Sequence, residues 1–431
     1  MKFVNPHAIW TDLMTTRLTA GLLWGGFFLG STMCGIASGQ DQPTDGSPAK
    51  VVLSDEALKI HQAGYVWDGH NDLPWAMRNQ AESSFDKLDI SKDQTGLHTD
   101  IPRLKKGNVG AQFWSVYVPA GLRKTGEAFQ VTMEQIELVK TMCDRYPETF
   151  QLALTAEDVR KARAAGRIAS LIGMEGGHSI ENSIANLRRL YDAGARYMTL
   201  THSATLDWAD SATDDETHNG LTEFGKEVVR EMNRLGMLVD LSHVSPKVMK
   251  DAMEISTAPI IYSHSSAKAL TGHPRNVPDD VFPLIRKNGG IVMVNFFSGY
   301  VRQDATAWMK EIDDLREKWK QETDGDDKEV TARTQAWIKR NPPPKATVHD
   351  VADHIDHLVE GIGIDHVGLG SDFDGVPSLP DQLEDVSMYP YLTQVMLDRG
   401  YDAEAIKKVL SENMMRVLEE AEAAASDKRN E

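Results

Sequence analysis

The chain has 431 residues, 41% of them hydrophobic, so it can bury one large core, and its length also allows two domains. Its formal net charge of −18 repels phosphate backbones and no basic cluster offsets that charge, so we expect no nucleic-acid partner. Composition is that of a soluble globular protein, and its function has to be inferred from local motifs.

The first 39 residues are typical of a secretory signal peptide. Lys2 and Arg17 precede an apolar run at 18–29, and small residues follow at 37–39. We expect cleavage near residue 39 and export to the periplasm or the extracellular space. Because the apolar run is short for a membrane span, we expect no transmembrane domain in the mature chain. An uncleaved N-terminal anchor, which would keep the protein at a membrane, is the alternative.

The chain has two cysteines, Cys34 and Cys143. Cleavage near residue 39 removes Cys34, so the mature chain cannot form an intramolecular disulfide. Cys143 lies in the amphipathic stretch MEQIELVKTMCDRY, which predicts a buried structural thiol. We therefore expect the hydrophobic core to stabilise the fold without covalent cross-links.

The rest of the chain predicts one large α/β domain. Residues 40–50 are polar and predict a flexible leader, 51–425 form the predicted catalytic domain, and 426–431 form a polar tail. Within the domain, eight short apolar runs alternate with longer amphipathic segments, as parallel strands joined by helices do. The predicted strands are 65–69, 111–118, 168–174, 197–201, 238–242, 259–263, 290–295 and 367–371. This alternation predicts a (β/α)₈ TIM-type barrel, and no glycine-rich nucleotide fingerprint favours a doubly wound sheet instead.

A charged segment at 302–345 interrupts the alternation between predicted strands seven and eight. It ends in Pro342, Pro343 and Pro344, which stop a helix. We predict an extra helical excursion with a solvated charged face, and a role as a lid or an interface is the alternative.

Ligand-type side chains follow several predicted strands, at the end of the barrel where reacting groups lie. His70 and Asp72 stand two apart in DGHNDLPW, which places both side chains on one side of an extended chain. Glu175 follows the third strand in GMEGGHS, His243 the fifth in DLSH, and His264 the sixth in YSHSS. Each residue alone is weak evidence, since single histidines and acids commonly serve structure. Together they predict a metal centre.

Imidazole and carboxylate ligands without a thiolate favour zinc, with manganese and cobalt as chemical alternatives. Two zinc ions about 3.5–4 Å apart can share a water, lower its pKa towards 7 and polarise a carbonyl group. Such a centre needs no serine or cysteine nucleophile. Asp372 comes first after the eighth strand in GSDFDG, where it can move a proton between the water and a leaving amine, and Asp374 is the alternative.

Several segments, in this order and spacing, are similar to those of one family: DGHNDLPW, GMEGGHSIENS, RYMTLTHS, WADS, VDLSHVS, IIYSHSSA, HPRNVPDD and GLGSDFDGV. From about residue 55 to 420 the chain resembles the membrane (renal) dipeptidase family of the metal-dependent hydrolase superfamily. The resemblance implies a zinc-dependent dipeptidase that hydrolyses the peptide bond of dipeptides with a metal-bridging water. It also implies tolerance of a D-residue in the second position.

The resemblance implies how the metal ligands are shared between two zinc ions per chain. His70 and Asp72 would hold one ion, His243 and His264 would hold the other, and Glu175 would bridge the two.

The remaining implied roles concern the substrate and the proton. His202 would contact the developing oxyanion, Arg275 and Tyr300 would bind the C-terminal carboxylate, and Asp372 would be the proton shuttle. The planar guanidinium of Arg275 suits a carboxylate. An ion pair with Asp279 or Asp280 is the structural alternative for Arg275, and a buried hydrogen-bonded side chain is the alternative for His202.

Three further histidines are interpreted as supporting residues. His178 stands three residues after Glu175 and is expected to orient that carboxylate. His354 and His357 precede the eighth predicted strand and are expected to pack or to be solvated.

Two other functions stay open from the sequence. The same binuclear site could hydrolyse β-lactams or N-acyl amino acids, because Arg275 requires a carboxylate near the bond but no free amine. A non-catalytic secreted barrel is the second alternative, which the presence of all five ligand residues disfavours. The partners we expect are small dipeptide substrates, and a homodimer is left open.

Overall fold

The computed structural model describes residues 50–429. The predicted signal peptide at 1–39, the leader up to residue 49 and residues 430–431 of the predicted tail lie outside the described residues. The domain boundaries drawn from the sequence therefore stay predictions.

Within the described part of the chain, nine parallel strands form one sheet, and eight of them close into a barrel. The strands are β1 Val66–Asn71, β2 Val109–Ser115, β3 Phe150–Leu152, β4 Ile168–Glu175, β5 Ala195–Thr199, β6 Leu238–Asp240, β7 Ile261–Tyr262, β8 Ile291–Val294 and β9 Val367–Leu369. Their order is β2-β1-β9-β8-β7-β6-β5-β4, and a β2–β4 pairing closes the ring. β3 pairs with β4 at the seam of the ring, beside that closure. The predicted (β/α)₈ barrel is confirmed.

Helices connect the strands and surround the barrel. They are α1 Asp55–Ala63, α2 Leu73–Ala81, α3 Ile101–Lys106, α4 Ala128–Arg145, α5 Ala156–Ala164, α6 Ile184–Asp192, α7 Glu223–Leu235, α8 Pro246–Ile255, α9 Lys268–Thr271, α10 Phe282–Asn288, α11 Ser298–Val301, α12 Gln303–Glu322, α13 Asp327–Arg340, α14 Val348–Ile362, α15 Tyr389–Asp398, α16 Ala403–Lys407 and α17 Asn413–Arg429. Many begin at a side-chain cap; for example, Thr222 Oγ1 accepts a hydrogen bond from the backbone of Gly225 at the start of α7. No helix among the described residues is long and apolar enough to cross a membrane.

Each of the eight predicted strands overlaps an observed strand, but several end earlier than expected. The sixth, predicted over 259–263, is only Ile261–Tyr262 in the structure. The backbone after Tyr262 leaves the ladder because side chains bind it: Ser263 N donates to Asp240, and His264 N donates to Ser242 Oγ. β3 was not expected, since three residues carry no readable alternation.

The predicted helical excursion lies where expected, between β8 and β9, the seventh and eighth strands of the barrel. It contains α12 and α13, whose Trp308 and Trp337 rings lie 5.4 Å apart. Trp308 Nε1 also donates to the backbone oxygen of Asn341, next to the three prolines. The excursion is therefore a helical hairpin whose inner surfaces pack together.

Aromatic side chains fill the interior of the barrel. Trp67, Phe113 and Tyr197 are fully buried, and their ring centroids are 6.2 Å apart between Trp67 and Phe113 and 4.9 Å apart between Phe113 and Tyr197. At the other end of this layer, α17 joins the same apolar cluster, and its Arg416 and Asn413 donate to carbonyls next to β8 and β9. The amino-terminal end of the barrel is thus closed, and the carboxyl end is left for chemistry.

We predict that Gly370→Ala destabilises the protein by roughly 1–3 kcal/mol, the usual cost of overpacking a tight interior. A Cβ atom on Gly370 would lie 1.8 Å from the carbonyl oxygen of Ser263, so two backbone segments would have to separate. Gly121→Ala is the matched control, because nothing lies within 4 Å of a Cβ there. Urea unfolding of the three proteins checks this, and equal midpoints for both variants would contradict it.

Candidate metal centre

The five predicted ligand residues meet at the carboxyl end of the barrel. His70 is the second-last residue of β1, Asp72 is the N-cap residue of α2, and Glu175 is the last residue of β4. His243 and His264 follow β6 and β7. All five are buried, with exposures between 0% and 6%. Parallel strands that end at one edge of the barrel bring these sequence-distant residues together.

The two carboxylate oxygens of Glu175 face different histidines. Oε2 lies 3.6 Å from His70 Nε2, which is in turn 3.3 Å from Asp72 Oδ2. Oε1 lies 3.0 Å from His243 Nε2 and 3.5 Å from His264 Nε2. This is the arrangement expected of a carboxylate shared between two cations.

The ligand atoms form one continuous cluster. Candidate groups of ligand atoms that all lie within 4.8 Å of one another are His70, Glu175 and His264; Glu175, His202 and His243; and His70, Asp72 and Asp372. The Nε2 atoms of His243 and His264 are 2.9 Å apart, which is compatible with one shared ion. His202 lies beside them, with Nε2 at 3.6 Å from Glu175 Oε1.

The chemistry of this cluster suits a resident metal. Oδ1 of Asp72 is buried and makes no hydrogen bond to any residue in 50–429, and the buried Nε2 of His70 has only the carboxylates of Asp72 and Glu175 beside it. Buried polar atoms without partners are costly, and a cation would satisfy both. Imidazole nitrogens and carboxylate oxygens without thiolate are a donor set that zinc accepts.

The pKa values of two ligand histidines, His70 and His243, are shifted in opposite directions. Burial favours neutral His70, but Tyr197 and the carboxylates of Glu175 and Asp72 together outweigh it and raise the pKa of His70 well above its usual range. At the other end, burial and the positive charge of Arg275 lower the pKa of His243 well below its usual range. The carboxylates thus favour positive charge at the His70 end, while His243 is held neutral, the state that binds metal.

Asp372 lies at the same site and Asp374 does not. Asp372 Oδ2 accepts a hydrogen bond of 2.8 Å from Asn295 Nδ2, and burial raises the pKa of Asp372, with further contributions from Asp72 and Glu175. Asp374 Oδ1 instead accepts from the backbone nitrogen of His98, and the backbone nitrogen of Asp374 donates to His98 Nδ1. Asp374 therefore ties two loops together.

Arg275 and Tyr300 lie together beside His264. The guanidinium of Arg275 is 2% exposed, donates to Ser265 Oγ and to the backbone oxygen of His264, and lies 5.5 Å from the Tyr300 ring centroid. It makes no ion pair with any described residue. The alternative partners are engaged elsewhere: Asp280 with Lys250 and Asp279 with His357. A buried guanidinium without a carboxylate partner has hydrogen-bond donors that an external anion can use.

The supporting histidines have separate roles. His178 Nε2 hydrogen-bonds the backbone oxygen of Val118 at 2.8 Å, in the loop after β2, and the His178 ring also lies in the field of the Glu175 carboxylate. His354 is buried and hydrogen-bonds Ala267 N and the Val301 oxygen. His357 lies nearer the surface and contacts Asp279, as expected of a solvated residue.

Sequence reasoning missed three residues of the site. Asn295 orients Asp372, Tyr197 hydrogen-bonds His70 Nδ1 at 2.8 Å, and Tyr117 packs between Trp75 and His202. Asn295 had a signal, because it is a polar residue at the end of a predicted strand. A tyrosine inside an apolar strand looks like core, and neither Tyr197 nor Tyr117 could have been distinguished from core packing.

Comparisons with known proteins agree with this geometry. The profile of the family described as membrane dipeptidase, peptidase family M19, matches residues 54–431. The dipeptidase tcpJ of Claviceps purpurea (strain 20.1) is 40% identical over an alignment of 373 residues, which covers 84% of this chain and 78% of that protein.

Solved structures are similar over most of their length. A metallo peptidase from Rhodobacter sphaeroides, liganded with a phosphinate mimic of the dipeptide L-Ala-D-Ala, is 27% identical with a TM-score of 0.67, covering 83% of this chain and 99% of its own. The dipeptidase AC, described as a metallo peptidase of family M19, is 28% identical with a TM-score of 0.68, covering 83% and 98%. The probable dipeptidase PvdM from Pseudomonas aeruginosa, 24% identical with a TM-score of 0.75 over 86% of this chain and 98% of its own, shares the fold.

We predict that Asp72→Ala and His243→Ala each lower the zinc content of the purified protein, because each removes a buried ligand atom. The fall in turnover should far exceed any fall in folding stability. His357→Ala is the control, since that ring lies outside the cluster. Metal analysis with thermal unfolding checks this, and wild-type zinc content in both ligand variants would contradict it.

Proposed function

Because this chain belongs to the membrane dipeptidase family, peptidase family M19, and is a metal-dependent hydrolase of peptide bonds, we propose that it is a two-zinc dipeptidase. The proposed substrates are free dipeptides, including those with a D-residue in second position. The observation that carries the two-ion proposal is Glu175, whose two oxygens face His70 on one side and His243 and His264 on the other. Asp72 completes the first ligand set.

When bound, two zinc ions would supply Lewis acidity, making a water nucleophilic at neutral pH and polarising the scissile carbonyl. The protein's own residues supply orientation, charge and proton movement.

Asp372 is proposed to hold and move the proton. Asn295 holds its Oδ2 atom, which leaves Oδ1 to take a proton from the attacking water and give it to the leaving amine. Gly375 keeps the space beside Oδ1 open, because a Cβ there would lie 2.5 Å from Asp372 Oδ1 and 2.1 Å from Asp72 Oδ2.

His202 is proposed to stabilise the oxygen of the tetrahedral intermediate. Its Nδ1 atom contacts Ser203 Oγ at 3.1 Å, and its Nε2 atom is directed towards Glu175 Oε1. A donor fixed beside the metal ligands can bind negative charge as it develops on the carbonyl oxygen.

Arg275 and Tyr300 are proposed to bind the substrate's C-terminal carboxylate. The guanidinium is buried and lacks an acidic partner among the described residues, and it lies within reach of His264 at the edge of the ligand cluster. A carboxylate bound there would place the adjacent peptide bond at the metal ligands, so the residue released would be the C-terminal one. The dipeptide mimic bound by the R. sphaeroides relative supports this substrate class.

Export remains part of the proposal. The basic and apolar pattern of residues 1–39 supports a signal peptide, and a periplasmic or extracellular enzyme would meet dipeptides released by other peptidases.

We predict that dipeptides are hydrolysed well and that tripeptides are hydrolysed poorly, as membership of a dipeptidase family implies. Arg275 would in addition require a free carboxylate one residue beyond the scissile carbonyl. An amidated dipeptide should lose a charge-assisted interaction of about 1.5–3 kcal/mol. A kinetic panel of L-L and L-D dipeptides, the matched tripeptides, amides and N-acyl amino acids, each with and without a chelator, measures this. Efficient tripeptide cleavage, or full activity without metal, would refute the proposal.

The two aspartates after β9 should behave differently. Asp372→Asn should keep zinc and bind substrate while kcat falls roughly 10²–10⁴-fold, the usual contribution of general acid–base catalysis. Asp374→Asn should change kcat much less, because an asparagine oxygen can still accept from His98 N. Zinc content, KM and kcat of both variants decide the matter, and the reverse pattern would assign the proton to Asp374.

A further inference from the structure

A histidine that binds metal through Nε2 must carry its proton on Nδ1, and a hydrogen-bond acceptor at Nδ1 favours that tautomer. Two of the candidate ligands, His70 and His264, have a hydroxyl oxygen 2.8 Å from Nδ1. Tyr197 lies in β5 and Ser263 directly follows β7. Both hydroxyls contact the ring nitrogen opposite the one that faces Glu175. Neither residue has a place in the proposed mechanism.

The first hydroxyl belongs to Tyr197 of β5. Its oxygen also lies 3.4 Å from the backbone oxygen of Gly69, which can take the phenolic proton. With that proton directed at Gly69, the Tyr197 oxygen accepts from His70 Nδ1 and leaves a lone pair on Nε2. Nε2 is the atom that faces Asp72 and Glu175.

The fold makes room for the Tyr197 ring at this position. Tyr197 is fully buried, and Gly173 on the neighbouring strand has no side chain to obstruct it. A Cβ on Gly173 would lie 2.0 Å from Cζ and 2.5 Å from the hydroxyl of Tyr197. Phe113 packs against the ring from the other side at 4.9 Å, so the phenol has a fixed place beneath His70.

The second hydroxyl belongs to Ser263, and its direction is set by Asp240. Ser263 Oγ donates to Asp240 Oδ2 at 2.7 Å, and the same carboxylate accepts from Ser242 N and Ser263 N. Because the hydroxyl proton is engaged with Asp240, Ser263 Oγ accepts from His264 Nδ1. The Nε2 lone pair of His264 is then available to a metal ion held between His264, His243 and Glu175.

His243 shows that such a hydroxyl is not a general consequence of burial. Its Nδ1 atom is buried and makes no hydrogen bond within the described chain. Its orientation comes from a backbone φ of 68° and from packing against the rings of His202 and His264, at 4.3 and 4.9 Å.

We propose that Tyr197 and Ser263 are positioning residues of the metal centre, which hold His70 and His264 in the Nδ1-protonated tautomer. Tyr197 would support the ion that His70 and Asp72 would hold, and Ser263 would support the ion that His243 and His264 would hold. The inference rests on the proposed two-zinc centre and assigns each ion a separate support from the barrel.

The test is zinc affinity of the full chain, measured by titration against a chromophoric chelator. Tyr197→Phe should lower the affinity for one of the two zinc ions roughly 10–100-fold and leave the affinity for the other unchanged. Ser263→Ala should lower the affinity for that other zinc ion by a similar factor. The double variant should weaken both. At saturating zinc the KM for a dipeptide should stay at the wild-type value, because neither residue contacts Arg275.

Tyr262→Phe is the matched control, because the Tyr262 hydroxyl is equally buried and makes no hydrogen bond within residues 50–429. It should bind both zinc ions as the wild type does. A purely structural role for Tyr197 or Ser263 would instead lower the melting temperature of the metal-free protein and leave zinc affinity unchanged.

The possible failures are distinguishable. If the wild-type protein binds two zinc ions and both single variants match its affinities, the positioning roles are wrong and the two-zinc centre stands. If the wild-type protein binds fewer than two, the proposed centre fails and the inference fails with it.

Discussion

The carboxylate of Glu175 is the interaction on which the rest of the site depends. It is 3% exposed, and within 3.6 Å of its two oxygens lie nitrogen atoms of His70, His202, His243 and His264. A carboxylate at the end of β4 can reach all of them only because the barrel closes and brings four other strand ends around it. Closure of the ring is therefore the condition for the chemistry.

Below this carboxylate, two other buried carboxylates fix neighbouring strands to one another by hydrogen bonds. Asp240 at the end of β6 accepts from Thr199, Ser242 and Ser263, and so joins three neighbouring strand ends. Asp68 in β1 accepts from Ser371, which follows β9, and from Tyr389 of α15, and so joins two strands and a helix. These buried carboxylates are satisfied by neutral donors, whereas Glu175 and Asp72 face histidines. Asp240 and Asp68 therefore stabilise the barrel, whereas Glu175 and Asp72 are arranged to bind a cation.

Residues that carry chemistry at strand ends could be predicted from the sequence, and their supports could not. His70, His243 and His264 interrupt apolar runs at the point where a parallel barrel exposes its reacting end, so position and residue type agree. Tyr197 offers no such signal, because its phenol serves His70, 127 residues away, through a contact that exists only after closure. β3 was not predicted for a different reason: a three-residue strand is too short to show an alternation of apolar and polar residues.

Because the apolar core and the metal ligands are separate sets of residues, folding of the barrel need not depend on metal binding. The apolar layer of Trp67, Phe113 and Tyr197 lies directly beneath the ligands. Together with residues of α17 it belongs to a buried apolar cluster that contains none of the five ligand residues. In small zinc domains the metal is the core, and its binding energy is folding energy. Here the barrel can fold first and the charged ligands are held near one another by it. A bound cation would then stabilise the native state by linkage and relieve repulsion among Glu175, Asp72 and Asp372, and we expect the barrel to stay folded without it.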